Sequence, residues 1–347
     1  MQVNYNKRQS MKRGKKYTIS IIGKKPFTGR NRMGMGGVGV HVVRLTDWLD
    51  AEGVNFVFYD LSLFKLFQFS KCINNSSYSH LHSSSPYMRL LFAIVCKLLG
   101  TVSICTYHGD LGRFGKIKNL FDYLSIRMMD FPIVINELSY NKSISRNKKS
   151  KLISAYIPSL KQEPLKPELD QKLSSFCKEY DIIGATNAFA MNYDKNGEEI
   201  YGIIPLVQFV ENQPQIGLIV SDSSGNYFDY FKSSCPKNVL IINEPHPFVG
   251  VLNYADIFIR YTTTDGDSLS IHEALDKGVF VIATNVVSRP NGCKLVNRDN
   301  LQELSMAIDD YKSTSKNGRK NDNKANAEIF DFYKNLVFVE KNDLIIN

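Results

Sequence analysis

The sequence predicts an α/β protein made of two doubly wound parallel sheets. Short apolar runs rich in Ile, Val, Phe and Tyr alternate with segments of helical periodicity along most of the chain. A polar segment with three prolines, residues 157–170, interrupts this alternation, which then starts again. The length of 347 residues also suits two domains of ordinary size.

In the first half, β-branched and aromatic residues mark the predicted strands, and an amphipathic pattern that ends at a glycine marks the helices. Residues 90–107 are apolar enough to suggest a membrane span, but Lys97 places a charge within the stretch and Gly100 interrupts it. We therefore predict a buried helix followed by a strand. The predicted order is strand Tyr17–Ile22, helix Val40–Ala51, strand Asn55–Tyr59, helix Met88–Leu99, strand Thr101–Tyr107, helix Leu120–Met129 and strand Pro132–Ile135.

The same criteria predict a second set of elements after the proline-rich segment. They are strand Asp181–Gly184, helix Gly202–Glu211, strands Gln215–Val220, Val239–Ile242 and Ala255–Arg260, helix Ser270–Lys277, strand Val279–Thr284 and helix Leu301–Tyr311. We therefore expect one domain over residues 1–160, a second over 161–320, and a final helix within 321–347 that packs back on the first domain. Two such sheets facing each other would enclose a cleft at the carboxyl ends of their strands, where ligands bind.

The composition is that of an ordinary globular protein with a basic surplus. It is 43% hydrophobic, with 43 Lys and Arg against 34 Asp and Glu, a formal net charge of +9. These values exclude disordered, collagen-like and coiled-coil chains. The six cysteines are scattered without a C-x-x-C pair, so we expect reduced thiols in the cytoplasm and neither a disulfide scaffold nor a zinc ribbon.

The positive charge is concentrated at the start of the chain, where no Asp or Glu precedes Asp47. One interpretation is a solvated tail and loops. The other is a basic face for an anionic partner, and it predicts a protein that is peripheral at the inner face of the membrane. Aromatic residues are few among these charges, so nucleic acid is not an expected partner. No signal peptide is predicted, because the apolar run Tyr17–Ile22 is too short.

A glycine-rich loop precedes the first predicted helix. Gly34, Gly36 and Gly39 match G-x-G-x-x-G, and Asp60 closes the next strand, which together suggest a dinucleotide site. In such sites the glycines follow the first strand directly, whereas here eleven residues lie between Gly23 and Met35. Three interpretations remain open: a flap that contacts phosphate or sugar, glycines that allow close packing, and NAD binding by an oxidoreductase or epimerase.

The strongest pattern lies in residues 257–285. A strand ends at Arg260, a polar loop contains Asp265, and a helix follows that is expected to carry Glu273 in its first turn. Both carboxylates are expected near the helix start, where they can accept from sugar and ribose hydroxyls while free N–H groups meet a diphosphate.

The same residues have structural alternatives. Ser270 and Glu273 form a capping-box pattern, Asp265 can shape the turn, and His272 is expected on a flank of the helix. Asp265 and Asp267 also match the D-x-D metal motif, but that motif belongs to a different architecture.

The pattern Asp265…Glu273-Ala-Leu…Gly278 resembles the E-x7-E signature of family-4 retaining glycosyltransferases of the GT-B fold, in the variant typical of bacterial surface-polysaccharide enzymes. The resemblance extends over most of the chain. It includes the N-terminal glycine loop with His41, a strand-end His at Tyr107-His108-Gly109, Ile182–Gly202 at the start of the nucleotide-binding domain, and Arg289-Pro290-Asn291-Gly292 after a strand.

The resemblance implies a glycosyltransferase that moves a sugar from a nucleotide-diphosphate sugar to a lipid-linked or oligosaccharide acceptor, in capsule, O-antigen or lipopolysaccharide synthesis. It implies catalytic roles for His108, Asp265 and Glu273, with Asp265 on the sugar and Glu273 on the ribose. The expected donor-binding residues are Gly36, Gly37, Arg260, Gly266, Asp267, Ser268, Leu269 and Arg289, and the acceptor-side candidates are Arg30, Arg32, His41 and Arg113.

No cofactor or metal is expected, since the nucleotide sugar is itself the substrate. The family's diphosphate-binding Arg and Lys are missing, so Arg260, Lys195 and Arg289 are the candidates to replace them. This absence also leaves open a non-catalytic carbohydrate-binding protein of the same fold.

Overall fold

A computed structural model describes residues 14–24, 37–160, 164–194, 196–313 and 325–338. The described chain divides into two compact units. The first contains residues 14–24, 37–160 and 325–338, and the second contains residues 164–194 and 196–313.

The first unit is a six-stranded parallel sheet with the strand order β2-β1-β3-β4-β5-β6. Its strand order reverses between β1 and β3, which makes that point the switch point of the sheet, the usual place for a ligand. The elements are β1 Tyr17–Gly23, α1 Gly37–Ala51, β2 Phe56–Asp60, α2 Leu66–Asn74, β3 Ser76–His82, α3 Pro86–Leu99, β4 Val102–Tyr107, α4 Lys116–Met128, β5 Phe131–Val134, α5 Glu137–Ile144 and β6 Lys151–Leu152.

The second unit is also a six-stranded parallel sheet, with the order β12-β11-β10-β7-β8-β9 and a switch point between β7 and β10. The prediction of two doubly wound sheets is confirmed. The elements are α6 Pro167–Cys177, β7 Ile182–Ala188, α7 Ile203–Glu211, β8 Ile216–Asp222, α8 Asn226–Phe231, β9 Val239–Ile242, α9 Phe248–Val251, β10 Ile257–Arg260, α10 Leu269–Asp276, β11 Phe280–Thr284, β12 Cys293–Val296 and α11 Leu301–Ser313.

The strand β3 was not predicted, although all its residues are buried. Its sequence, SSYSHLH, is polar, so it lacks the apolar run by which the other strands were recognised. Neighbouring strands satisfy several of its polar groups. The hydroxyl oxygens of Ser79 and of Ser20 on β1 lie 2.7 Å apart and share a hydrogen bond, and His80 Nε2 lies 2.8 Å from Thr106 Oγ1 of β4. A polar strand can therefore occupy the middle of this sheet.

The proline-rich linker is shorter than predicted. Residues 157–170 were expected to be linker throughout, but Pro167 begins helix α6, where a proline at the first position costs no hydrogen bond. The stretch 90–107 is the end of α3 followed by β4, as predicted. Ser85 caps α3 through the Met88 N–H, and Gly100 ends it with φ 63°. No helix in the described ranges is long and apolar enough to cross a membrane.

The last described helix, α12 (Ala325–Phe338), belongs to the first unit although it follows the second in the chain. Ile329 and Tyr333 join the buried cluster of the first sheet. Phe330 stacks on Trp48, with ring centres 4.1 Å apart and planes 6° from parallel. This helix therefore completes one face of the first core.

Candidate functional site

The carboxyl end of the second sheet has a polar cluster at its switch point. Arg260, the last residue of β10, donates through Nη1 to the Asn187 carbonyl of β7 at 3.2 Å. The Asn187 amide in turn donates to Ser270 Oγ of α10 at 2.7 Å. These bonds connect both switch-point strands to the start of α10.

Asp265 accepts four hydrogen bonds in this cluster. Its Oδ1 accepts from Arg260 Nη2 at 3.1 Å and from the Gly266 N–H at 3.0 Å. Its Oδ2 accepts from Arg260 Nε at 2.9 Å and from Arg289 Nη1 at 2.8 Å. The sequence suggested a sugar contact for Asp265, but here its carboxylate holds two guanidiniums.

Arg289 lies in the loop after β11, and hydrogen bonds to the end of β11 and to the loop after β10 hold its guanidinium in place. Its Nε donates to the Thr284 carbonyl at 3.0 Å, and its Nη2 donates to Thr262 Oγ1 at 3.0 Å. Only 1% of its side chain is exposed, so it positions Asp265 and the loop and presents little surface to a ligand. Arg260 is more accessible, with 11% of its side chain exposed.

The cluster contains one more positive charge than negative. Burial by itself would raise the pKa of the Asp265 carboxyl, but Arg260 and Arg289 hold it below its ordinary value. Burial would lower the pKa of Arg260, but Asp265 raises it above its ordinary value. Asp265 and Arg260 are therefore charged at neutral pH, and the second guanidinium of the cluster gives it an excess of positive charge that favours an anion.

Helix α10 starts beside this cluster, with Ser268 as its N-cap. The Ser268 side chain makes no capping bond, and its buried Oγ has no hydrogen-bond partner among the described residues. The first N–H groups of a helix have no acceptor within it. The start of α10 therefore presents a hydroxyl and backbone N–H groups of the kind that bind phosphate.

The structure corrects two predictions about α10. Because the N-cap is Ser268, Ser270 and Glu273 are not a capping box, and Glu273 lies in the second turn rather than the first. Glu273 is buried, with 8% of its surface exposed. His272 was expected on a flank, but it is buried and its Nε2 lies 2.5 Å from Asp267 Oδ1. Asp267 thus connects the loop between β10 and α10 to the helix itself.

The first sheet has a histidine cluster at its own carboxyl end. His108 follows β4 directly, and its Nε2 lies 3.1 Å from Nδ1 of His82, the last residue of β3. His41 of α1 lies beside both rings, and its Nδ1 is 2.5 Å from the Ala155 carbonyl oxygen. His41 and His108 were predicted site residues, whereas His82 was missed because β3 was not recognised.

Arg113 lies on the surface near this cluster. A Cβ at position 109 would be 2.0 Å from Arg113 Nη1, so a glycine is needed there for the guanidinium to approach the backbone. Gly37 is the first residue of α1, and Asp60 ends β2, where its carboxylate accepts from the Ser62 N–H at 2.9 Å. The predicted residues Arg30, Arg32, Gly34, Gly36 and Lys195 lie outside the described residues, as does the basic segment 1–13.

Several solved glycosyltransferase structures are similar to this chain in fold. The Anabaena protein Alr3699/HepE, solved in complex with UDP-glucose, has a TM-score of 0.62 at 14% identity over 95% of this chain and 98% of its own. Sucrose-phosphate synthase from Thermosynechococcus elongatus has a TM-score of 0.61 at 14% identity, over 95% and 98%. The trehalose-6-phosphate synthase OtsA has a TM-score of 0.62 at 13% identity, over 93% and 95%.

These similarities extend over nearly the whole of each chain. The fold is therefore that of GT-B glycosyltransferases, as the resemblance predicted. No protein-family model matches the chain, and no curated protein sequence matches it.

Proposed function

We propose that the protein is a glycosyltransferase that uses a nucleotide-diphosphate sugar as donor and binds it at the switch point of the second sheet. The observation that supports this most directly is the start of α10, where the buried, unpartnered Ser268 hydroxyl lies among free helix N–H groups. Arg260 adds positive charge next to it. A diphosphate matches both the donors and the charge.

In this proposal the second unit stabilises the leaving diphosphate by electrostatics. As the bond to the sugar breaks, negative charge grows on the diphosphate oxygens. The helix N–H groups, Ser268 and Arg260 stabilise that charge without a divalent cation on the phosphates. Asp265 and Arg289 position Arg260, since Asp265 bonds to both guanidiniums. Glu273 accepts from the ribose, as the family resemblance implies.

The finer assignments rest on the sequence resemblance. We propose retention of configuration and a lipid-linked oligosaccharide acceptor in surface-polysaccharide synthesis. We also propose docking of the basic N-terminal region on the anionic inner leaflet. Co-sedimentation with vesicles should then rise with phosphatidylglycerol content and decrease with salt.

The donor is identified by thermal shift with UDP, GDP and ADP, followed by the matching nucleotide sugars. UDP is the first choice, because similar folds were solved with UDP-glucose. A ligand at 100 times its Kd should stabilise the protein by about 2.7 kcal/mol. Release of nucleotide diphosphate from the sugar donor then distinguishes an enzyme from a non-catalytic binder. No stabilisation by any nucleotide, or stabilisation by NAD alone, would contradict the proposal.

A further inference from the structure

Three histidine rings form a nearly equilateral triangle at the switch point of the first sheet. His41 comes from α1, His82 from the end of β3, and His108 from the residue after β4. Their ring centres are 5.0 Å apart for His41 and His82, 5.1 Å for His41 and His108, and 5.4 Å for His82 and His108. Their sequence positions are far apart, so only the fold brings them together.

This triangle has the size of a zinc site with three histidine ligands. With a Zn–N distance of about 2.0–2.1 Å, the ring centre of a bound imidazole lies about 3.2 Å from the ion, and three tetrahedral ligands have ring centres about 5.2 Å apart. One candidate nitrogen from each ring lies within 4.8 Å of the others. Rotation of the rings about χ2 can bring these atoms to the tetrahedral spacing of about 3.3 Å.

The chemical state of the rings also fits a metal. The Nδ1 of His41 donates to the Ala155 carbonyl oxygen at 2.5 Å, which leaves the lone pair on Nε2, as in many metal-bound histidines. The Nε2 of His82 is buried and has no hydrogen-bond partner in the described part of the chain. Burial, followed by the neighbouring imidazoles and, for His108, by Arg89 and Arg113, holds the pKa of His82 and of His108 well below the ordinary value. Neutral imidazole is the form that binds metal.

Neighbouring groups limit the ligand set to these three rings. His80 lies next to His82, but its two nitrogens are engaged by Tyr333 and Thr106. Arg89 would repel a cation, but it pairs with Asp122 at 2.8 Å, and this pair is buried. Arg113 is a further positive neighbour, on the surface, and would favour an anionic or water ligand in the remaining position of the metal.

We propose that His41, His82 and His108 bind one divalent transition metal ion, with Zn²⁺ as the best match to three neutral imidazoles. The three ligands leave the fourth tetrahedral position open to water or an anionic oxygen. The site lies wholly within the first unit, so it extends beyond the donor chemistry proposed for the second and does not depend on it.

The test is a calorimetric titration of the metal-free full chain with Zn²⁺ alone, in a Cys235→Ser background because Cys235 is an exposed thiol. We expect one ion per chain. His82→Asn and His108→Ala should each weaken binding by about 100-fold or more, since even the outer partners of metal-bound histidines contribute about 10–100-fold. His108→Cys, which keeps a ligand atom, should retain most of the affinity.

The matched control is His246→Asn, which removes a histidine of the second unit and should leave Zn²⁺ binding unchanged. Trp48 fluorescence confirms that each variant keeps the fold of the first unit, and His108→Ala provides the decisive measurement if His82→Asn unfolds, because His108 is only partly buried. Equal Zn²⁺ affinity in the parent and in folded His108→Ala would overturn the proposal, as would the absence of a stoichiometric site in the parent.

Discussion

Arg289 and Asp265, 24 positions apart in the sequence, form a buried ion pair with 2.8 Å between Nη1 and Oδ2. Arg260 binds the same carboxylate from the other side. The negative charge of one carboxylate therefore offsets the positive charge of two guanidiniums. These ion pairs hold the loop between β10 and α10 in place.

Replacement of this carboxylate should destabilise the second unit strongly. Asp265→Asn leaves two largely buried guanidiniums without a charged partner, and we expect a loss of about 3–5 kcal/mol in the free energy of unfolding. The matched control is Asp310→Asn, which breaks an ion pair with Lys294 whose side chains are about half exposed and should cost at most about 1 kcal/mol. Urea unfolding followed by circular dichroism measures both. Equal losses would show that the buried network contributes no more than a surface pair.

Removal of the Ser268 hydroxyl should weaken ligand binding and leave stability intact. No described residue bonds to this Oγ, so Ser268→Ala should change the unfolding free energy by less than about 0.5 kcal/mol. Loss of one hydrogen bond to a diphosphate should reduce nucleotide affinity about 2–10-fold. Ser85→Ala is the opposite control: it removes the cap of α3, should cost about 1 kcal/mol, and should leave nucleotide affinity unchanged. Unchanged affinity in Ser268→Ala would remove this hydroxyl from the donor site.

Glu273→Gln should reduce affinity for the free nucleotide diphosphate by about tenfold or more. A charged acceptor to a ribose hydroxyl contributes about 1.5–3 kcal/mol, and glutamine keeps the size without the charge. Asp276→Asn removes a carboxylate from the exposed end of the same helix and should have little effect. Calorimetry on both variants measures the difference. A similar loss in both would point to the general charge of α10 and not to a ribose contact.

The free energy of unfolding should decrease as the pH falls below about 6.5. Burial, followed by neighbouring imidazoles, holds the pKa of His80 and of His82 well below its ordinary value in the folded state. The unfolded chain then binds protons that the folded chain does not, and each histidine can contribute up to about 1.4 kcal/mol per pH unit.

Trp48 fluorescence during urea unfolding in EDTA, at pH 7.5 and pH 5.5, measures this pH dependence in the first unit. His82→Asn should reduce the difference between the two pH values, since it removes one of the histidines whose pKa is lowered in the folded state. A difference as large as that of the parent would assign the effect to other groups.

Phe330→Ala should destabilise the first unit and change the Trp48 emission. Phe330 stacks on Trp48 but is only partly buried, so we expect a loss of about 2–3 kcal/mol, below the usual range for a fully buried phenylalanine. Phe67→Ala makes the same substitution at a side chain that is 79% exposed and should change stability by less than about 0.5 kcal/mol. Unfolding followed by Trp48 fluorescence should separate the two variants. An unshifted emission in Phe330→Ala would contradict the stacking.

Most of the fold could be predicted from the sequence because most strands are apolar runs between helical patterns. β1, β4 and β11 were recognised in this way. β3 was not, since it is polar in sequence, and its residues Ser79 and His80 bond to partners on β1 and β4 that only the folded sheet provides. The start of α6 was not recognised because it begins with a proline, and prolines among polar residues are also typical of linkers.

The candidate site was predicted as a list of residues but not as a set of contacts. Arg260, Asp265 and Arg289 were all singled out, yet the sequence suggested that the arginines bind diphosphate and the aspartate binds sugar. Their mutual ion pairs depend on the turn between β10 and α10 and on the loop after β11. The histidine triangle was also missed, because one of its corners is on the unrecognised strand.

The position of α12 has a consequence for synthesis on the ribosome. The strands of the first sheet leave the ribosome first, but Ile329, Phe330 and Tyr333, which cover Trp48 and its neighbours, leave it only after the whole second unit. The second unit is nearly continuous in the chain and can close its core earlier. Nascent chains therefore complete the later unit before the earlier one, and the first sheet keeps an open apolar face until translation passes α12, the interval in which a chaperone would have a binding surface.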